Sequence, residues 1–172
     1  MWARWMSSHR RRACVFCDRT QIETNGILYE DERVLAFRDN HPRATVHVLV
    51  VPKEHIANTA ALHSLHVPLV EHMLAVGKTV VDEECKRIQH TRPSSPYDHI
   101  MDHAELIVPR VFGFHQAPFN SIDHLHLHCL ASPFLPSWNR FRYTEWACLQ
   151  NFVSVATLLE RLHDPSRRPS SI

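Results

Sequence analysis

The segment that most constrains this chain is Ser121–Leu130, in which imidazoles alternate with apolar side chains. His124, His126 and His128 occupy every second position. Because side chains of a β-strand point alternately to opposite faces, this spacing predicts a strand with three imidazoles on one face. Burial of the other face would fix the register and present the imidazoles together at a surface or cleft. A merely soluble strand does not need imidazole, so the pattern indicates chemistry.

Size and charge narrow the possible functions. At 172 residues the chain has the length of one domain and can bury a core. Its 19 basic and 18 acidic residues give a net charge of +1, which argues against a general polyanion-binding surface. No apolar run approaches the roughly 20 residues that span a bilayer, so we expect no membrane partner.

Cysteine usage and the first residues bear on location. Five cysteines without a preceding apolar secretory segment favour a reducing compartment, and we expect the cytoplasm or the nucleus. Residues 1–12 are basic with no acid, a composition that faintly resembles a mitochondrial transit peptide. Their shortness favours a disordered tail, which makes a mitochondrial location the weaker expectation.

Hydrophobic periodicity predicts short strands and two helices. Ile27–Phe37 predicts two strands around a turn, and Val46–Val51 predicts a mostly apolar strand. His47 would then be at least partly buried and need a hydrogen-bond partner, which suits a supporting group. Spacings of three and four predict a long helix over Val67–Arg87, and Phe152–Leu162 predicts a short amphipathic helix.

Two segments between the long helix and the triple histidine have weaker patterns. Ile88–Glu105 has no periodicity and predicts a long surface loop. Leu106–Phe112 predicts a strand at an edge or with a bulge, because it contains a proline. We expect solvated side chains rather than metal ligands for the histidines of the loop: His90, His99 and His103.

On the residues alone, three interpretations of the triple histidine stay open. Alternate residues of one strand can supply two imidazole ligands to a metal such as zinc. Alternatively, the central imidazole attacks an electrophile while its neighbours handle charge and protons. The third interpretation is a polar strand face that happens to be rich in histidine. Strict alternation, with Asn120 and Ser121 just upstream, favours the first two.

The segment His124–Leu130 resembles the His-φ-His-φ-His-φ-φ signature of the histidine triad superfamily, where φ is apolar. The residues around Gly113–Ser121 and the long helix look most like the branch of nucleotide-binding protein 3. The resemblance spans about Ala13–Leu162. Further segments match the family in the expected order: Cys14–Cys17, Phe37–Asp39 and His47–His55.

This resemblance implies an α+β domain over residues 13–163, between tails at 1–12 and 164–172. The family fold has an antiparallel sheet of about five strands, a long helix and a short C-terminal helix. The resemblance also implies a homodimer that binds a purine nucleotide, in the form of AMP conjugates. It does not imply a nucleic-acid partner.

The family chemistry is cleavage at the α-phosphate of an adenosine 5′-phosphoramidate, with aminoacyl adenylates as further substrates. By resemblance, His126 is the nucleophile that forms an AMP–histidine intermediate, which water then hydrolyses. His128 would hold a phosphate oxygen or assist the leaving group, and His47 would orient the site. Neutral imidazole is nucleophilic at physiological pH, which fits this assignment.

Other family positions imply contacts to the nucleotide alongside the three triad imidazoles. Asp39 would bind the ribose hydroxyls, although it could instead be a turn residue that caps its own loop. Asn120 would contact phosphate, and Ser121 would donate to the leaving nitrogen. Asp123 departs from the family pattern, but strand parity points it away from the imidazoles, so we expect little direct effect. Gln116–Phe119 replaces a glycine-rich loop and leaves the preferred amine open.

Some family members bind zinc, whereas the branch that this chain most resembles is not expected to. We therefore expect no cofactor for the reaction and leave a structural zinc open; the alternative is two buried, reduced thiols. With zinc bound, His124 would be structural, and only His126 and His128 would face substrate. The residues that match the zinc site are Cys14, Cys17, His55 and His124.

Competing functions use the same residues. An enzyme of the aprataxin type would remove AMP from nucleic-acid 5′-ends, but it would need a polyanion groove that the +1 charge disfavours. A non-enzymatic nucleotide-binding interaction protein is also compatible with the motif. Hydrolysis of dinucleoside polyphosphates is a weaker option.

Overall fold

The computed structural model describes residues 14–91, 109–146 and 149–164. Within these residues, six strands form one antiparallel sheet in the order β1-β2-β3-β5-β4-β6. The strands are β1 (Ile27–Glu30), β2 (Val34–Arg38), β3 (Ala44–Pro52), β4 (Arg110–His115), β5 (Leu127–Phe134) and β6 (Phe152–Ser154). The helices are α1 (Arg19–Glu23), α2 (Val67–Thr91) and α3 (Val155–His163).

The early elements confirm the sequence pattern. The predicted hairpin is β1 and β2, and the predicted apolar strand is β3, in which His47 is buried. The long helix α2 covers the predicted range but continues to Thr91, so the predicted loop from Ile88 begins four residues too early. The helix is extended by side chains that bond to carbonyls of its last turns, as His90 Nδ1 does to the oxygen of Lys86 at 2.7 Å. The rest of that loop, with His99 and His103, lies outside the described residues.

The C-terminal prediction is partly wrong. The predicted helix over Phe152–Leu162 is a strand, β6, followed by helix α3 from Val155. Ser154 caps α3, because its hydroxyl accepts a hydrogen bond from the amide of Thr157 at 3.2 Å. The pairing of β6 with β4 gives the sheet six strands rather than about five.

The triple-histidine segment is only half strand. Strand β5 begins at Leu127 and runs to Phe134, so the prediction of a strand over Ser121–Leu130 is wrong for its first six residues. The backbone before β5 is bound elsewhere, since the amide of Leu125 donates to the carbonyl of Ile56 at 2.6 Å. The alternation of faces nevertheless holds, because three apolar side chains enter the main core: Leu125, Leu127 and Cys129.

The core explains which face of the sheet carries the site. Helix α2 packs over one face, against alternate residues of β2, β3 and β5. Gly77 lets the helix approach closely, because a Cβ there would lie 2.6 Å from Cys129 Sγ. The opposite face holds smaller apolar clusters, under α1 and a 3₁₀ segment at Ser137–Tyr143. The imidazoles of His126 and His128 lie on that second face, at a pocket.

Every described helix is too short or too polar to cross a membrane.

Candidate active site

A pocket of about 460 Å³ opens on the sheet face that α2 leaves uncovered. Four of the expected site residues line it: Asp39, Ser121, His126 and His128. Apolar side chains from α1, β2, β3 and the preceding turn form one wall: Phe16, Ile22, Phe37 and Leu49. The structure thus brings together polar groups suited to a phosphate and an apolar wall suited to a base.

The hydrogen bond of His126 fixes its tautomer. Its Nδ1 lies 2.6 Å from the backbone oxygen of His124. A carbonyl can only accept, so Nδ1 carries the hydrogen and the lone pair of the neutral ring is on Nε2. Burial lowers the pKa of His126 below its ordinary value, which keeps the ring neutral. The ring therefore has the protonation state of a nucleophile.

A relay of hydrogen bonds fixes the tautomers of His47 and His128 in the same way. The amide of Arg43 donates to His47 Nδ1 at 3.2 Å, so the hydrogen of His47 is on Nε2. That nitrogen lies 2.9 Å from His128 Nδ1 and donates to it, which places the hydrogen of His128 on Nε2. This last nitrogen is buried and has no partner among the described residues. It is an unpaired donor in a ring whose centre lies 4.9 Å from that of His126.

Burial keeps this relay neutral. It lowers the pKa of His47 to about 4 and that of His128 well below its ordinary value. Neighbouring imidazoles lower both values further, since each would repel a second positive charge. Neutral rings are what the tautomer assignment requires, because a protonated ring has no acceptor nitrogen.

His115 is a further imidazole at the pocket, to which the sequence analysis assigned no role. Its ring centre lies 4.9 Å from that of His128, and its Nδ1 donates to the backbone oxygen of Asn151 at 3.2 Å. Burial lowers the pKa of His115 to about 4. The register of the sheet places His115 at the site, because Gly113 pairs with His128 and His115 is two residues further along the same face of β4.

Tyr143 closes the same side of the pocket. Its ring centre lies 5.4 Å from that of His128 and 5.2 Å from that of His115. Burial raises the pKa of Tyr143 to about 12, so the phenol stays protonated. Together the rings of His115 and Tyr143 cover one side of the His128 ring.

Asp39 makes the turn contact that was the alternative to ribose binding, and it also lines the pocket. One carboxylate oxygen accepts from the amide of His41 at 2.8 Å, which is a turn contact within its own loop. The other oxygen lies 3.4 Å from His47 Nε2, and the side chain lines the pocket. The turn contact therefore holds the carboxylate in a position where it can also bind a ligand.

Ser121 and Asn120, although adjacent, are separated by the structure. Ser121 lines the main pocket, whereas Asn120 lines a small neighbouring cavity with His124 and His126. Asn120 Nδ2 donates to Asp123 Oδ1 at 2.9 Å. Asp123 therefore contacts the amide that we expect to bind phosphate, a contact that strand parity did not indicate.

The four expected zinc ligands converge beside this pocket. His124 Nδ1 lies 3.3 Å from Cys14 Sγ, 3.5 Å from Cys17 Sγ and 3.3 Å from His55 Nδ1. Cys17 Sγ lies 3.4 Å from His55 Nδ1. One ring nitrogen cannot make three such hydrogen bonds at once. Tetrahedral zinc, with bonds of about 2.3 Å to sulfur and about 2.0–2.1 Å to nitrogen, would space its ligand atoms about 3.3–3.8 Å apart.

The remaining nitrogen of His124 supports the same interpretation. Its Nε2 donates to the backbone oxygen of Pro52 at 2.9 Å, which leaves the lone pair on Nδ1, toward the cluster. Cys17 is exposed and Cys14 only half-buried, so the two thiols are not buried in the way that the alternative to zinc assumed. The four side chains fit a zinc ion.

Comparisons with known proteins identify the family. A family model described as "Scavenger mRNA decapping enzyme C-term binding" matches residues 13–143. The bifunctional adenosine 5′-phosphosulfate phosphorylase/adenylylsulfatase HINT4 of Arabidopsis thaliana is 38% identical over 154 residues, or 88% of this chain and 92% of that protein. The chain belongs to the histidine triad superfamily.

Further similarities agree with this assignment. The mouse adenosine 5′-monophosphoramidase HINT3 is 33% identical over 156 residues, or 87% of this chain and 81% of that protein. A solved HIT family hydrolase from Clostridium thermocellum is 29% identical, with a TM-score of 0.51 over 71% of this chain and 92% of its own. These similarities confirm the family resemblance and the expected fold class. The hydrolases among the relatives support the assignment of this histidine triad protein as a hydrolase.

Proposed function

We propose that this histidine triad protein is an adenosine 5′-monophosphoramidase, which cleaves the P–N bond of AMP–amine conjugates and also accepts aminoacyl adenylates. The reaction passes through an AMP–histidine intermediate on His126. The observation that carries the proposal is the 2.6 Å bond from His126 Nδ1 to the oxygen of His124. It leaves the nucleophilic lone pair on Nε2 of a neutral ring that lines the pocket.

Substrate binding follows from the two sides of the pocket. The adenine ring would pack against the apolar wall of Phe16, Ile22, Phe37 and Leu49, which is part of the same pocket. The carboxylate of Asp39 would accept hydrogen bonds from the ribose hydroxyls. This arrangement would bring the α-phosphate to the imidazoles.

In the first step, His126 Nε2 attacks the α-phosphorus and the bond from phosphorus to the amine nitrogen breaks. The N–H of His128 Nε2 stabilises the negative charge on a phosphate oxygen, and the relay from Arg43 through His47 keeps that hydrogen in place. The departing nitrogen takes up one proton, supplied from solvent through the hydroxyl of Ser121, and leaves as a free amine.

In the second step, water attacks the α-phosphorus from the side that the amine has vacated. The bond between phosphorus and His126 breaks, AMP leaves with the oxygen from water, and one proton of that water returns to solvent. The ring returns to its neutral form, which its burial favours. The sum of the two steps is one AMP–amine and one water converted to AMP and an amine.

We further propose that Cys14, Cys17, His55 and His124 hold a structural zinc ion. When bound, zinc would link the segment of Cys14 and Cys17 to the triad. It would also keep the backbone oxygen of His124 in position to accept from His126. Metal analysis of the purified protein tests this, with about one zinc per chain expected. A chain without zinc but with full stability would contradict it.

A sulfate leaving group is the second candidate. The Arabidopsis relative is named for activities on adenosine 5′-phosphosulfate. Arg43 and Arg142 also line the pocket of this chain, and two cations favour an anionic leaving group. A sulfate leaving group is anionic and is attracted by these two arginines, whereas an amine leaving group is not anionic. The two functions can therefore be distinguished by comparing the two substrates.

The test is AMP release from adenosine 5′-phosphoramidate and, in parallel, from adenosine 5′-phosphosulfate. We expect turnover of the phosphoramidate with a higher kcat/KM. A protein that hydrolyses only the phosphosulfate would replace the first function with the second. One that hydrolyses neither would leave the interaction-protein hypothesis. The homodimer and the location in cytoplasm or nucleus stay predictions from the family resemblance.

A further inference from the structure

The turn formed by Cys14–Cys17, here called the cysteine turn, carries two thiols and also contributes to the active-site pocket. The amide of Cys17 donates to the backbone oxygen of Cys14 at 3.0 Å, which closes the turn. Val15 and Phe16, between the two cysteines, both line the pocket. A change in the bonding of the two sulfurs therefore acts directly on the wall of the pocket.

The two sulfurs of the cysteine turn are close enough to be joined to each other. A four-residue turn holds its first and last Cα atoms within about 7 Å, and disulfides span Cα separations of about 4.4–6.8 Å. The Sγ atoms of Cys14 and Cys17 lie within 4.8 Å of each other. The turn can therefore accept a disulfide without being opened.

Exposure distinguishes these thiols from the other described cysteines. Cys17 is the one exposed thiol among them, and Cys14 beside it is half-buried. Cys129 is completely buried, where Gly77 lets helix α2 approach strand β5. Cys85 is half-buried against the same core. An oxidant from solvent thus reaches the cysteine turn most easily, and a second thiol lies beside the first.

The ring of Phe16 connects the cysteine turn to the proposed base site and to the nucleophile. Its centre lies 5.5 Å from that of Phe37 and 5.5 Å from that of His126. Zinc would hold two sulfur ligands about 3.8 Å apart, whereas a disulfide holds them about 2.05 Å apart. Formation of the disulfide draws the ends of the turn together and shifts the ring that lies between them.

The histidine half of the proposed zinc site has a means of staying in place without the sulfurs. His124 Nε2 donates to the backbone oxygen of Pro52, so its Nδ1 can accept. His55 Nδ1 lies 3.3 Å from that atom and can donate to it. The backbone oxygen of His124 would still accept from His126. Loss of the sulfurs should therefore affect the pocket wall more than the nucleophile.

We propose that Cys14 and Cys17 are an oxidative modification site, at which a peroxide joins the two thiolates in a disulfide, displaces zinc and weakens nucleotide binding. The effect on binding rests on the proposed function, whereas the disulfide and the zinc release can be measured without it. The device is reversible, because a reducing thiol regenerates both thiolates.

The chemistry is a two-electron oxidation of the thiolate pair. The thiolate of Cys17 attacks one oxygen of hydrogen peroxide, the O–O bond breaks, and the products are a sulfenic acid and hydroxide. The thiolate of Cys14 then attacks the sulfur of Cys17, forms the S–S bond and expels the sulfenic oxygen as a second hydroxide. Two protons from solvent convert the two hydroxides to water. The proposed zinc site thereby loses two of its four ligands.

The experiment treats the purified, zinc-containing protein with stoichiometric hydrogen peroxide. Peptide mapping by mass spectrometry locates the disulfide, a metallochromic indicator measures the released zinc, and steady-state kinetics with adenosine 5′-phosphoramidate give kcat and KM. A second sample loses its zinc to a chelator under reducing conditions, without oxidation. Cys85→Ser is the control, because it removes a thiol and leaves the cysteine turn intact.

We expect a disulfide between Cys14 and Cys17, release of about one zinc per chain and a rise in KM of about threefold to tenfold. The value of kcat should change by less than about twofold. A reducing thiol with added zinc should restore KM. Cys85→Ser should respond as the wild type does, whereas Cys14→Ser should form no disulfide in the turn. Phe16→Ala should raise KM by itself, and oxidation of that variant should add little.

Three results would overturn the inference. They are oxidation of the turn to sulfinic or sulfonic acid without an S–S bond, a disulfide that leaves KM unchanged, and an equal rise in KM in the reduced, zinc-depleted sample. The last result would assign the effect to the metal alone. If the reduced protein does not hydrolyse the phosphoramidate, the proposed function is wrong, and the peptide map and zinc release still decide whether this pair is the oxidised site.

Discussion

Two clusters of imidazoles lie side by side in this protein and use the same side chain in opposite ways. In the zinc-type cluster, the Nδ1 atoms of His55 and His124 and two sulfurs converge toward one point. In the catalytic cluster, hydrogen bonds run in one direction, from the amide of Arg43 to His47 and from His47 to His128. Convergent lone pairs bind a cation, whereas a directed relay leaves one donor and one nucleophile for substrate.

His124 belongs to both clusters. Its ring lies in the zinc-type cluster, while its backbone oxygen accepts from His126 and sets the tautomer of the nucleophile. Phe16 also touches both, with ring centres 5.8 Å from His124 and 5.5 Å from His126. His124 and His126 are only two residues apart, but their rings donate to different backbone oxygens, those of Pro52 and His124. These backbone contacts give the two rings different tautomers. Substitutions in each cluster should separate a chemical effect from a structural one.

The largest effect should follow from His126→Ala. Loss of the nucleophile should reduce AMP release from adenosine 5′-phosphoramidate by at least about 10³-fold. Thermal unfolding and zinc content should stay close to wild type, because this ring is not in the zinc-type cluster. The control is His63→Ala, at an exposed histidine outside both clusters, which should keep full activity. A His126→Ala protein that lost its zinc would show that the two clusters are one unit.

Cys17→Ser should give the converse result. Loss of one of four ligands should release zinc and lower the free energy of unfolding by at least about 2 kcal/mol. Activity should fall less than in His126→Ala, since every catalytic side chain is still present. Elemental analysis and chemical denaturation measure the two effects. Cys85→Ser removes a half-buried thiol outside the cluster and should leave zinc content unchanged; equal zinc content in both variants would contradict the assignment.

The pH dependence of stability should reflect the neutral catalytic relay. Burial lowers the pKa of His47 and His115 to about 4 in the folded state, whereas the unfolded value is about 6.5. Between these values the unfolded chain binds more protons, so the free energy of unfolding should rise with pH from about 4 to about 6.5. Denaturant titrations at several pH values measure this. For the His47→Leu variant we expect a shallower slope, and an unchanged slope would argue that His47 is not neutral in the fold.

The smallest effect should be that of His47→Gln. A glutamine amide can still donate toward His128 Nδ1, so kcat should fall by about tenfold or less. His47→Leu removes the donor, and we expect a loss of about 10–100-fold in kcat with little change in KM. Steady-state kinetics of the pair separates the relay from simple packing. Equal losses in the two variants would mean that the donor does not matter.

The sequence was most informative where pattern and local geometry coincide. The triad spacing predicted one face for His124, His126 and His128, and the apolar residues between them are buried as expected. The Cys14–Cys17 spacing and the family order named the four candidate residues of the zinc-type cluster while leaving zinc itself open, and the structure brings these four side chains together. In both cases the deciding residues are close in sequence or belong to one motif.

What the sequence missed depends on long-range register. His115 joins the site only because β4 pairs with β5, and a lone histidine beside a proline-rich loop gives no local sign of this. Similarly, β6 is a strand because β4 offers an open edge, although Phe152–Leu162 has a helical pattern. The hydrogen bond from Asn120 to Asp123 depends on a bend before β5 that residue types do not specify.

The most direct test of a covalent His126 intermediate is the stereochemical course at phosphorus. The substrate would be a phosphoramidate of adenosine with one chiral sulfur-substituted α-phosphorus, hydrolysed in ¹⁸O-labelled water. Two in-line displacements, first by His126 Nε2 and then by water, should give net retention of configuration. Net inversion would mean that water attacks the phosphorus directly, and it would contradict the role that the 2.6 Å bond to the oxygen of His124 gives to His126.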